Sequence, residues 1–150
     1  MAVDRPGGVY RMLRNTCHPA AMNPRIQRGR TAHASGIAAE DAACAALIAD
    51  GWTILVRRLR TKAGEVDAVA EKAGILAIIE VKSRPTLAEA ALALTVRQQV
   101  RLAAACDLIL GQHPDWGVNG VRFDLLVVNP AGQVRRIADA FRSGDISGSY

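Results

Sequence analysis

The chain has 150 residues, half of them apolar and 22% charged, the size and balance of one globular domain able to bury a real core. Aromatic residues are only 4%, so that core is built from Ala, Val, Ile and Leu. Three widely spaced cysteines exclude a disulfide framework, and no apolar run reaches the ~18 residues needed to span a bilayer.

Cys17, Cys44 and Cys106 form no C-x-x-C pair, which argues against structural zinc and for a reducing cytosol. The N-terminus lacks the apolar segment of a secretory signal. His18, His33 and His113 are scattered away from any cluster of ligands. The net charge of +5 resides in residues 1–30, where six Arg face a single acid, Asp4; residues 31–150 carry 13 basic and 13 acidic groups. Only Lys62, Lys72 and Lys82 are lysines, so Lys82 is not one of many interchangeable ammonium groups.

Residues 1–30 show neither helical nor strand periodicity and are interrupted by Pro6, Gly7-Gly8, Pro19 and Pro24. They read as a disordered basic arm. Such an arm either holds nucleic acid through phosphate contacts or is a plain solvated tail, with Met22 as an alternative start that would leave residues 1–21 outside the native protein.

From Ala34 to Asp50 the spacing predicts a helix, with Ser35 as N-cap, a stripe of Ile37, Ala38, Cys44, Ala45, Leu47 and Ile48, and Gly51 as the stop. Strands follow at Trp52–Leu59, Glu65–Ala70 and Ile75–Lys82, the last two forming a hairpin, with Pro85 closing the third. Residues 87–111 are helical with a break at Thr95, His113–Gly117 is a loop, and strands at Val121–Val128 and Val134–Ile137 flank the turn Asn129–Gly132. Residues 143–150 read as a frayed tail. The order α-β-β-β-α-β-β over residues 31–142 predicts an α/β domain: a mixed central sheet with helices on both faces.

Four charges sit inside the apolar hairpin: Glu65, Asp67, Glu80 and Lys82. With Ala73-Gly74 as a two-residue turn, Lys72 opposes Ile75, Asp67 opposes Glu80 and Glu65 opposes Lys82, all four on one face with Val69, Leu76 and Ile78. The other face carries Val66, Ala68, Ala70, Ile75, Ala77, Ile79 and Val81. Opposed carboxylates repel unless something lies between them, and a hard divalent cation with oxygen ligands fits that place. A lysine beside it suits an attacking water or a phosphate. The alternative is a cross-strand ion-pair network, with Glu65 on Lys82 and the other acids protonated or reaching Arg57, Arg60 or Arg84. Arg57, Arg58, Arg60, Lys62 and Arg84 cluster at this end, either against a phosphate backbone or in solvent. Asp124 reads as structural, paired with Arg122.

Gly36-x3-Glu40, Gly64-Glu65-Val66-Asp67, Ile79-Glu80-Val81-Lys82-Ser83-Arg84 and Arg122-Phe123-Asp124 occur in the order and spacing of the YraN family of bacterial proteins, which this chain resembles from about Arg30 to Arg142. That resemblance implies a restriction-endonuclease-like core of the PD-(D/E)xK superfamily. It implies Asp67 and Glu80 as metal-binding catalytic acids, Glu40 as a third acid on the metal, Lys82 as the catalytic lysine, and Glu65 and Gln98 in supporting roles. Mg²⁺ or Mn²⁺ is the implied cofactor and DNA, as branched or junction structures in repair, the implied substrate, with Arg57, Arg58, Arg60 and Arg84 on the nucleic acid. Two positions depart from the family's pattern: Arg97-Gln98-Gln99 replaces a stretch that often holds Lys, and Arg58 replaces an Asn before the GE-x-D block. The resemblance also allows a homodimer, since nucleases that cut both strands pair two sites, although no stretch marks an interface. The alternative from another class is a non-catalytic nucleic-acid-binding module of nuclease ancestry. Both place the protein in the cytoplasm, away from membranes.

Overall fold

The structure, a computed structural model, describes residues 24–146. Its elements are α1 (Pro24–Ala49), β1 (Thr53–Thr61), β2 (Gly64–Lys72), β3 (Ile75–Ser83), α2 (Leu87–Ala93), α3 (Val96–Gln112), β4 (Gly120–Val128), β5 (Val134–Phe141) and α4 (Ser143–Ile146). The five strands form one sheet in chain order, antiparallel except for β3 against β4. That parallel step follows from the α2–α3 crossover, since parallel neighbours need a long connection. The mixed α/β sheet expected from the element order is the observed one.

Each face of the sheet carries its own core. Ala39, Ala43, Cys44 and Leu47 of α1 pack with Trp52, Ala68, Ala70, Ala77, Ile79, Leu126 and Val128. The small residues on both sides let α1 lie close to the strands. On the opposite face Ala90 and Leu94, then Leu102, Ala105, Cys106 and Ile109 of α3, cover Val69, Leu76, Ile78, Leu125 and Val127. Burying both faces explains why β3 reads as nearly continuous apolar sequence.

Helix ends follow local chemistry. Gly51, at φ +84°, terminates α1; its N–H donates to the Ile48 carbonyl at 3.0 Å and the Trp52 N–H to the Leu47 carbonyl at 3.0 Å, the paired bonds of a left-handed C-terminal cap. Thr95 breaks the long helical segment as expected: its hydroxyl caps α3 through the Gln98 N–H at 3.3 Å.

Several boundaries differ from the sequence expectations. Helix α1 starts at Pro24, so residues 24–30 belong to a helix and not to a disordered arm, and Ser35 lies mid-helix, capping nothing. Proline suits a helix's first turn, where its missing N–H loses no partner, so the residue that read as a break marks a start. The buried stripe of α1 is Ala39, Ala43, Cys44 and Leu47, with Ile48 exposed. Residues 1–23, with Met22 and most of the proposed arm, lie outside the described residues, as do 147–150. Residues 143–146 form α4 instead of a frayed end.

Strand β5 runs to Phe141, past the expected end at Ile137. The cause is a bulge. Pairing shifts between Phe123 and Leu125, and Asp139 sits at φ +52° with its N–H donating to buried Asp124 Oδ1 at 3.0 Å. Asp124 also accepts from Arg122 Nη2 at 2.9 Å and lies 3.7 Å from Arg136 Nε, while both guanidiniums sit over the Trp52 ring at 4.9 and 5.2 Å. Asp124 is therefore structural, as expected, and anchors the β4–β5 edge.

Candidate active site

The hairpin turn sets the register. Lys72 pairs with Ile75, and the β2–β3 ladder continues as expected through Ala68 and Ile79, where it stops. Beyond that point β2 changes direction. Val66 packs in the same cluster as Val69, so strand alternation is broken between them, and Arg58, on β1 across from this break, has φ +49°. Val66 thus belongs to the α3 face and not, as alternation suggested, to the α1 face.

Asp67 fills the resulting fork. Its Oδ2 accepts the Val81 N–H at 2.7 Å, replacing the lost ladder bond with a side-chain bond. Burial raises the Asp67 carboxyl to about 7; the Glu80 charge adds to the rise, the Val81 hydrogen bond opposes it, and Glu40 and Lys82 contribute lesser effects up and down. Glu80 is only 7% exposed. Lys82 Nζ lies 3.1 Å from Glu80 Oε1, and Arg101 Nη2 of α3 lies 3.8 Å from Glu80 Oε2. The Gln98 amide, oriented so that its nitrogen donates to the Ala93 carbonyl at 2.7 Å, presents its oxygen to Lys82 Nζ at 3.1 Å.

Gly64 is required here by a close approach. At φ +139°, an added Cβ would lie 2.7 Å from Arg101 Cδ, and the Arg101 Nη1 donates to the Glu65 carbonyl at 2.6 Å. The first glycine of the GE-x-D block therefore makes room for the arginine that reaches Glu80. Sequence reasoning missed Arg101. The signal available was Gln98 and Arg101, three apart on the otherwise apolar inner side of α3.

Asp67, Glu80, Lys82 and Gln98 are brought together; the other expected residues are not. Glu65 does not face Lys82, because the strands have parted; it pairs with Arg60 at 3.3 Å. Glu40 pairs with Arg58 Nε at 2.5 Å, and Arg57 with Asp41. Glu40, Arg58, Arg60 and Glu65 line a cleft of about 370 Å³ between α1 and the forked end. Among the described residues, no three His, Cys, Asp or Glu side chains converge as a set of ligands for one ion. Arg84 is exposed and donates to the Ser83 carbonyl at 2.7 Å. Of the predicted phosphate-binding arginines, three are thus engaged by acids, leaving Arg84 with no ion pair among the described residues.

Other nucleophiles are quiet. Burial pushes the Cys106 thiol up to about 11, with Asp107 adding to the rise, and burial raises Cys44 as well. His113 stacks on Trp116 at 3.7 Å between ring centres.

The motif blocks of this fork fall within a wider match: the sequence model described as Uncharacterised protein family UPF0102 covers residues 39–128. The chain belongs to the UPF0102 family. A UPF0102 protein of Granulibacter bethesdensis is 60% identical over 118 residues, spanning 79% of this chain and 75% of the relative. UPF0102 proteins of Azorhizobium caulinodans and a Bradyrhizobium species are 44% and 39% identical, over 82% and 93% of this chain and 94% and 93% of the relatives. UPF0102 is the YraN family, so the resemblance read from the motif blocks is confirmed, and these relatives are bacterial. No helix among the described residues of this UPF0102 chain is long and apolar enough to cross a membrane.

Proposed function

We propose that this UPF0102 protein is a Mg²⁺- or Mn²⁺-dependent nuclease that hydrolyses DNA phosphodiesters, acting on branched or junction DNA in repair within the bacterial cytoplasm. The observation that carries the proposal is the forked site itself: half-buried Asp67 beside buried Glu80, with Lys82 next to them at the parted end of two strands.

The donor set fits a hard divalent cation. Asp67 and Glu80 are oxygen donors in repulsive proximity, and Mg²⁺ uses one or two protein carboxylates and keeps several waters, so a third protein acid is not required. Asp67 and Glu80 would hold the ion, which when bound would polarise the scissile phosphate and acidify a water. Glu40 is not in that shell; its partner is Arg58.

Lys82 is 13% exposed and its ammonium has three donors. Glu80 and the Gln98 amide take two, leaving one for an attacking water or a phosphate oxygen. Arg101 offsets part of the Glu80 charge while the site is without substrate. Arg84, which has no acidic partner among the described residues, is the phosphate contact best placed; Arg57, Arg58 and Arg60 would have to leave Asp41, Glu40 and Glu65 to join it.

The experiment is cleavage of end-labelled linear, flapped and four-way-junction DNA with Mn²⁺ and with EDTA. Metal-dependent product from any of them, absent from Lys82→Ala, supports the nuclease. One observation favours the non-catalytic module: Glu80 is already neutralised by Lys82 and Arg101. That reading predicts salt-dependent DNA binding with no cleavage under any metal.

A further inference from the structure

Helix α3 has two sides. Its inner side carries the core residues Leu102, Ala105, Cys106 and Ile109. Its outer side carries an apolar ridge at four-residue spacing: Val96 at 55% exposure, Val100 at 49%, exposed Ala104 and Leu108 at 38%. Single exposed apolar residues are ordinary, but four in register on one helix form a contiguous patch. At 3.6 residues per turn they span about 120° of the helix, opposite its buried side.

The ridge is symmetric about Leu102. Val96 and Leu108 are equidistant from it, and so are Val100 and Ala104. The two charged residues that flank the ridge obey the same symmetry: Arg97 and Asp107, both exposed, lie five residues to either side. Among the described residues neither makes an ion pair within the chain. Arg97 is also in the first turn of α3, where the helix dipole disfavours a cation, and no acid occupies that turn to offset it.

We infer that two copies of this chain pair through α3, the helices antiparallel about a two-fold axis at Leu102, so that Arg97 of each meets Asp107 of the other. In that arrangement Val96 packs on Leu108 and Val100 on the small Ala104, which lets the helices approach closely. An isologous dimer requires a self-complementary surface, and this ridge is self-complementary in both shape and charge. The antiparallel neighbour answers the dipole as well, bringing an acid to the N-terminal turn of each α3.

A 17-residue helix is roughly 25 Å long, so the pair buries on the order of 500 Å² per copy, below the ~800 Å² of a standard interface. The dimer is therefore weak, in the micromolar range or above. The inference stands on the outer surface of α3 and not on the nuclease reading. It does bear on that reading, because Gln98 and Arg101 of the same helix touch Lys82 and Glu80, placing two candidate sites on either side of one helix pair.

Sedimentation velocity across about 1–300 µM tests it, the span suited to an interface of this size. The wild-type chain is expected to dimerise reversibly. Arg97→Asp and Asp107→Arg, each alone, set like charges together at two symmetric places and should weaken the dimer about tenfold or more. The double reversal should restore affinity to within about threefold, while Val100→Glu should leave only monomer. All three positions are exposed, and unchanged circular dichroism checks that the variants fold. A monomer at every concentration, a dimer indifferent to Val100→Glu, or a double reversal no better than the single ones overturns the inference.

Discussion

The Asp67 carboxylate accepts the Val81 N–H at 2.7 Å at the point where the β2–β3 ladder ends. One side-chain bond thus replaces a backbone pairing and holds two strands apart around a pair of acids. The arrangement sets like charges together, since half-buried Asp67 lies beside the Glu80 charge. Burial and the Glu80 charge hold the Asp67 carboxyl up to about 7, while Lys82 and Arg101 face Glu80.

That repulsion predicts a pH dependence. An aspartate titrates near 4 in the unfolded chain and Asp67 near 7 in the folded one, so folding takes up a proton between those values. The associated stability is fully present below about pH 4 and is lost as pH rises through about 7. Urea denaturation in EDTA should show the chain losing stability from pH 6 to 8.5. Asp67→Asn keeps an acceptor for Val81 and has no charge to bury, so its advantage over wild type should widen by about 1–2 kcal/mol from pH 6 to 8.5, level off above about pH 7 and close only toward pH 4. A gap independent of pH would place the cost elsewhere.

The Gly64–Arg101 contact predicts a coupled effect. Gly64→Ala forces a Cβ against the Arg101 stem at a positive φ and should cost about 1–3 kcal/mol. In an Arg101→Ala background the steric part vanishes and the backbone part remains, so the penalty should fall without disappearing. A double-mutant cycle by thermal denaturation measures the difference; strictly additive effects would contradict the contact.

Gln98 predicts a graded catalytic effect. Its amide oxygen faces Lys82 Nζ, so under the proposed nuclease function Gln98→Ala should slow DNA cleavage by roughly tenfold, against 10²-fold or more for Lys82→Ala. Gln98→Glu should keep Lys82 in place and shift the pH–rate profile through the added charge. A Gln98→Ala variant that loses stability but not rate assigns the residue to packing alone.

Asp124 predicts the opposite pattern. It is buried against Arg122, Arg136 and the Asp139 N–H, so Asp124→Ala strands two arginines and a bulge. The loss should be about 3–5 kcal/mol of stability, with no selective loss of activity in whatever fraction stays folded. Fluorescence-monitored denaturation alongside the cleavage assay separates the two.

Much of this was legible in the sequence because it rests on short-range rules. The tight turn at Ala73-Gly74 fixed the register from Lys72–Ile75 down to Ala68–Ile79, and Gly51 and Thr95 marked helix ends through their own backbone chemistry. What failed was whatever depends on departure from regular geometry. Strict alternation put Glu65 opposite Lys82, but the chain turns at Asp67, and no local signal at Val66 announces it. The same holds for β5, whose bulge at Asp139 hid the strand's last four residues. Glu40 went to Arg58 for a third reason: the guanidinium lies within reach across the α1–β1 packing, and a full charge takes a nearby carboxylate.

The Asp67–Glu80 fork is proposed above as a divalent-cation site. Mn²⁺ titration of the metal-free chain, followed by electron paramagnetic resonance of the free ion, tests it most directly. One site is expected in the wild type, about tenfold or more weaker in Asp67→Asn and unchanged within about threefold in Glu40→Gln, whose carboxylate pairs with Arg58. Equal binding by wild type and Asp67→Asn, or none by either, would contradict it.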